Sequence, residues 1–81
     1  MKKEFFEVMR AIIRTVGGKQ ELVSEESYGK YTSLHKAQDD MERFASEKDA
    51  DGMEDPYYQD DDTIMILEDD TEIEWTVRLR R

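Results

Sequence analysis

The chain has 81 residues, 37% of them hydrophobic and 41% charged, with a formal charge of −9 and no cysteine. A chain of that length makes one domain whose core is barely sufficient, so each apolar residue matters. The missing cysteine excludes disulfides, thiolate metal sites and cysteine nucleophiles.

The charge is unevenly laid out. Residues 1 to 20 carry five Lys/Arg against two Asp/Glu, residues 21 to 74 four against nineteen, and residues 75 to 81 three against none. An acidic middle repels nucleic acid and anionic headgroups and speeds encounter with basic protein surfaces, so direct nucleic-acid binding is not expected. The same surplus also keeps a small protein soluble. The opening residues alternate Lys, Glu and Phe without a continuous apolar run, which predicts neither a signal peptide nor a membrane span and places the chain in a cytoplasm.

In residues 4 to 16, EFFEVMRAIIRTV, the residues Phe5, Met9, Ile12, Ile13 and Val16 recur at helical spacing, with Phe6 and Val8 widening the stripe. Strict alternation fails at Phe5-Phe6 and Ile12-Ile13, and Gly17 stands where a left-handed helix cap belongs. The spacing predicts an amphipathic helix. Residues 21 to 27, ELVSEES, read as a strand with acids on both faces, the composition of a sheet edge.

A second helix is predicted from Ser33, a suitable N-cap, to about Ser46, with Leu34, Ala37, Met41, Phe44 and Ala45 on one stripe. Residues 47 to 62 are polar and rich in turn formers, with room for a short strand at Tyr57-Tyr58. TIMIL (63 to 67), the turn EDDT (68 to 71) and EIEWTVRLR (72 to 80) predict an antiparallel hairpin, the last strand alternating Ile73, Trp75, Val77 and Leu79 against polar residues. The expected fold is α+β: a single domain with two helices packed on a small, mainly antiparallel sheet.

Candidate chemistry is sparse. The only histidine, His35, has no nucleophile-acid arrangement around it and reads as a solvated helix residue. Glu47, Asp49, Asp51 and Gly52 match the first half of a calcium loop, but its twelfth position is Tyr58 instead of a bidentate Glu and its eighth is Glu54, so an acidic loop is the better reading. Asp60, Asp61 and Asp62 are adjacent and cannot all converge on one ion. Pairs of carboxylates can be chosen at will from twenty-one acids, which makes none of them specific. A chain this short also has little volume for a cleft, so no enzyme activity and no cofactor are expected.

Two blocks carry a family resemblance. IIRTVGGKQELVSEES (12 to 27) is similar to the N-terminal region of the phage-encoded uracil-DNA glycosylase inhibitors, in which a helix carrying paired isoleucines leads into Gly-Lys-Gln and a strand, and matches it at Ile12, Ile13, Gly18, Lys19, Gln20, Leu22, Val23, Glu26 and Ser27, with Glu21 as an insertion. DDTIMILEDD followed by EWTVRL resembles that family's acidic approach, apolar strand and Trp-bearing final strand, most closely at Met65, Leu67 and Trp75. Together the blocks span about half of the chain. Glu25 and Tyr28 stand where the family has Gln and an apolar residue, and residues 47 to 58 stand where it has a central strand.

The resemblance implies a protein that mimics DNA and occludes the DNA-binding cleft of uracil-DNA glycosylase in a 1:1 complex. Carboxylates on alternate strand residues lie about 7 Å apart, the scale of neighbouring phosphates. On this reading Glu26 and Ser27, assisted by Glu25 and Tyr28, meet the enzyme's phosphate-contacting loops, and Asp61 adds charge. Met65 and Leu67, with Met41 and Leu34, line a groove for the enzyme's leucine wedge, worth roughly 1.5 to 3 kcal/mol from burial. The free domain is expected to be monomeric. The alternative is an acidic mimic aimed at another DNA-handling enzyme, such as a restriction or CRISPR nuclease, for which charge matters but the leucine groove does not.

Overall fold

A computed structural model describes residues 4–50 and 56–81. Five strands and one helix follow in the order β1 (Phe5–Val16), β2 (Lys19–Tyr31), α1 (Leu34–Lys48), β3 (Tyr58–Gln59), β4 (Thr63–Glu68) and β5 (Thr71–Arg80). The strands form one antiparallel sheet in the order β2-β1-β5-β4-β3. Among the described residues α1 is the one helix, and no helix is long and apolar enough to cross a membrane.

The first segment corrects the two-helix expectation, because residues 5 to 16 are a strand. Placed between β2 and β5, this strand has neighbours on both edges and apolar side chains on both faces. Val8 is buried on the helix side, and Met9 and Ala11 are buried on the opposite one. A strand with apolar residues on both faces loses the clean alternation of one with a single apolar face, which is why Phe5-Phe6 and Ile12-Ile13 read as helix. The β-branched Val8, Ile12, Ile13, Thr15 and Val16 suit the extended state.

Gly17 and Gly18 do not cap a helix. They form the two-residue turn between β1 and β2, with φ of 58° and 81°. Positive φ at both central residues is the turn geometry whose twist matches the flanking strands, and glycine reaches it without strain. The turn sets Val16 opposite Lys19 and propagates the register down to Phe6 opposite Tyr31. Two irregularities in β2, at Tyr28 and at Val23, each place one extra residue against β1.

The remaining predicted elements form near their expected positions, but β2 extends over 19 to 31 instead of 21 to 27, α1 runs on to Lys48, and the short strand is Tyr58–Gln59 instead of Tyr57-Tyr58. Ser33 caps α1, its Oγ accepting the Lys36 N–H at 3.3 Å. Ala37, Met41 and Ala45 are buried at every fourth position, and the alanines let the helix approach the sheet closely. The Asp69-Asp70 turn joins β4 and β5 and sets Leu67 opposite Glu72 and Ile64 opposite Trp75. The core lies between α1 and the sheet: Val8, Met41, Ile64, Ile66, Ile73 and Trp75, flanked by Phe6, Tyr28 and Phe44. Tyr28 sits edge-on to Trp75 with centroids 4.8 Å apart.

Candidate functional site

The paired registers assign every strand residue to one of two faces, since directly opposed residues share a face. Val8, Arg10 and Ile12 of β1 share the helix-covered face with Val77, Trp75 and Ile73 of β5. Among the described residues no helix covers the opposite face. Reading across it from β2 to β3, one row runs Lys30, Glu7, Arg78; the next Ser27, Met9, Thr76, Thr63. The third runs Glu25, Ala11, Glu74, Met65, Tyr58, and the fourth Leu22, Ile13, Glu72, Leu67.

This face has two chemically distinct ends. At one end Arg78 and Arg80 lie beside Lys30. The Arg80 Nε donates to Glu7 Oε1 at 3.0 Å, and Ser27 Oγ donates to Glu7 Oε2 at 2.7 Å. The Ser27 hydroxyl, followed by Arg80 and Lys30, holds the Glu7 carboxyl below its usual range against the opposing effect of burial. Arg78 reaches across β1 to Glu25, Nη2 to Oε2 at 3.6 Å. The register puts Met9 beneath that diagonal, so its burial needs no covering helix.

At the other end Leu67 is 56% exposed and Leu22 60% exposed, with Ile13 and Met65 partly buried beside them. Glu72 and Glu74 stand among these apolar groups on β5. Among the described residues neither forms an ion pair. An exposed apolar patch studded with free carboxylates is a surface suited to a partner that is both greasy and basic.

The sequence-derived residues divide between the two faces. Glu25 and Ser27 lie on the helix-free face, paired with Arg78 and Glu7. Glu26 lies on the other, opposite Arg10, so Glu26 and Ser27 do not present one docking edge. Tyr28 packs against Phe44 and Trp75. Leu34 is exposed at the start of α1, and Met41 is 1% exposed in the core. Met65 and Leu67 point away from the helix, since Ile64 and Ile66 between them fill the core. The groove expected from Met65, Leu67, Met41 and Leu34 is therefore not formed: the sheet separates its two halves.

Asp61 borders a hollow between α1 and the β3–β4 connection, with His35, Asp39, Glu42, Gln59 and Asp60. Asp60 serves the turn there, accepting the Asp62 N–H at 2.8 Å and the Tyr58 hydroxyl at 2.7 Å. Those bonds, the Tyr58 hydroxyl first, keep its carboxyl below the usual range. Of the calcium-loop positions, Asp51, Gly52 and Glu54 lie outside the described residues. Asp49 is engaged elsewhere: Trp75 and Arg10 both donate to its carboxylate. Among the described residues no three His, Asp or Glu are placed to hold a metal ion.

Ile13, Leu22, Glu72 and Glu74 were not singled out from the sequence as site residues. A signal for the carboxylates was present, because a two-residue turn at Asp69-Asp70 makes Leu67 face Glu72 and Met65 face Glu74. Ile13 and Leu22 had no such signal while residues 4 to 16 read as a helix. Compared with known families, curated proteins and solved structures, the chain matches none of them.

Proposed function

We propose that this chain is a protein-binding inhibitor that mimics DNA, using the acidic and apolar end of its helix-free face to occupy a basic, DNA-contacting cleft. The target suggested by the resemblance in sequence is uracil-DNA glycosylase. The observation that carries the reading is the placement of Glu72 and Glu74 on one strand between Ile13 and the Met65–Leu67 pair. Alternate strand residues lie about 7 Å apart, so the two carboxylates match the spacing of successive phosphates. The flanking apolar groups offer a hydrophobic wedge somewhere to rest, worth roughly 1.5 to 3 kcal/mol for one leucine side chain. The activity is occlusion of a site, not catalysis.

The test is to mix the chain with a bacterial uracil-DNA glycosylase, run gel filtration and assay uracil excision. Co-elution at 1:1 with loss of excision is expected, and Glu74→Lys should relieve it. Separate elution with unimpaired excision overturns the reading for this target. One observation favours another DNA-handling enzyme, such as a restriction or CRISPR nuclease, as a second reading: Ile12 and Ile13 belong to a strand, whereas the family resemblance implies a helix there. Inhibition of such a nuclease with the glycosylase untouched would establish it.

A further inference from the structure

Along β5 the residues on the helix-free face are Glu72, Glu74, Thr76, Arg78 and Arg80. Their charges change sign about Thr76. We propose that two copies of the chain pack these faces together as a symmetric dimer, with a two-fold axis lying between the sheets and crossing the strands at the Ser27, Met9, Thr76 row.

Such an axis exchanges positions equally far from that row on the same strand. On β5 it sets Arg78 against Glu74 of the second copy and Arg80 against its Glu72. On β2 the extra residue Tyr28 leaves Lys30 level with Glu7 and Glu25 level with Ala11, so Lys30 meets Glu25 of the second copy. On β1 Met9 meets Met9, and Phe5 meets Ile13. All six positions that carry charge on this face of β2 and β5 are thereby opposed by the opposite sign. The one charge facing an apolar residue is Glu7, opposite Ala11, and Glu7 already holds Arg80 and Ser27 within its own chain.

Sheets packed face to face lie about 10 Å apart with strands within about 30° of one another, a gap that Arg and Glu side chains bridge from both sides. A guanidinium has enough donors to keep its own-chain carboxylate while taking one from the partner. Self-complementarity of this kind is what an isologous two-fold interface demands. A dimer replaces the monomer expected from the sequence. It stands whether or not the proposed target is found, and it competes with target binding because both use Glu72, Glu74 and Ile13.

The experiment is sedimentation of the wild type and two charge-reversed variants, E72R/E74R and R78E/R80E, with far-UV circular dichroism confirming that each keeps the wild-type fold. The wild type should sediment at twice the chain mass at high micromolar concentration. Each variant alone, with four like charges along β5, should be monomeric, and an equimolar mixture should recover the doubled mass as a heterodimer. A wild type that stays monomeric overturns the proposal, as does a dimer that survives in either variant alone. If a double variant fails to fold, Thr76→Arg, which brings two arginines together on the axis, decides in its place: persistence of the dimer overturns the proposal, and its loss supports it.

Discussion

The indole Nε1 of Trp75 donates a 2.7 Å hydrogen bond to Oδ2 of Asp49, the residue that closes α1. The same carboxylate accepts Arg10 Nη2 at 3.0 Å and Nε at 3.3 Å, and the Asp49 N–H donates to the Ala45 carbonyl at 2.8 Å. One side chain thus fastens the end of the helix to the two central strands. The Asp49 carboxylate holds the Arg10 guanidinium above its usual range despite partial burial. Asp49→Ala leaves an indole N–H and a largely buried guanidinium without their acceptor, and should cost about 3 kcal/mol of unfolding free energy in urea. Asp49→Asn keeps one acceptor and should cost about half as much.

The Gly17-Gly18 turn gives a second prediction. At φ 81° a β-branched residue is strained, so Gly18→Val should lower stability by about 1 to 2 kcal/mol. Gly17→Asn, at φ 58°, should stay within about 0.5 kcal/mol of the wild type because Asn tolerates that region. Equal tolerance at both positions in chemical unfolding would contradict the hairpin.

Met41 and Leu67 separate stability from binding. Met41 is 1% exposed, and Met41→Ala leaves a cavity against Trp75 and Ile64 that should cost about 2 to 4 kcal/mol. Leu67→Asp, at an exposed position, should change stability by no more than about 0.5 kcal/mol. Yet Leu67→Asp should weaken target inhibition, whereas Met41→Ala, assayed well below its melting temperature, should not.

Glu7 makes stability depend on pH. Its carboxyl is depressed in the folded state, first by Ser27 and then by Arg80, so its contribution is fully present above the ordinary carboxylate range and is lost as pH falls through the folded value. Asp40, depressed first by the Tyr31 hydroxyl and then by Lys36 and Arg43, acts with the same sign. Glu7→Gln should therefore destabilise the chain near pH 7, and the gap between the two unfolding curves should close as pH falls through the folded value of the Glu7 carboxyl. A gap that is constant with pH would show that the ion pair and hydrogen bond contribute nothing through ionisation.

Much of the fold was legible because the signals are local. Ser33 followed by apolar residues at three-to-four spacing produces α1. Ile73, Trp75 and Val77 alternating with polar residues after a turn at Asp69-Asp70 produce the β4–β5 hairpin. The acid on both faces of residues 21 to 27 marks a sheet edge, and β2 is one of the two edge strands. The candidate site was half legible: Met65 and Leu67 lie on the exposed apolar patch, but Met41 and Leu34 belong to the other side of the sheet.

Composition and short-range pattern determined by themselves that this is a small acidic domain with a capped helix, an acidic edge strand and a C-terminal hairpin, since capping, turn chemistry and period-two alternation all act within a few residues. Only the tertiary structure decided the state of residues 5 to 16, where Phe5 pairs with Arg80 and Arg14 with Thr71. A segment with apolar residues on every side satisfies either period, and the choice is made by strand partners from the far end of the chain. That same pairing brings Ile13 and Leu22 beside Glu72 and Leu67, so the composition of the helix-free face follows from contacts that no local stretch of the chain contains.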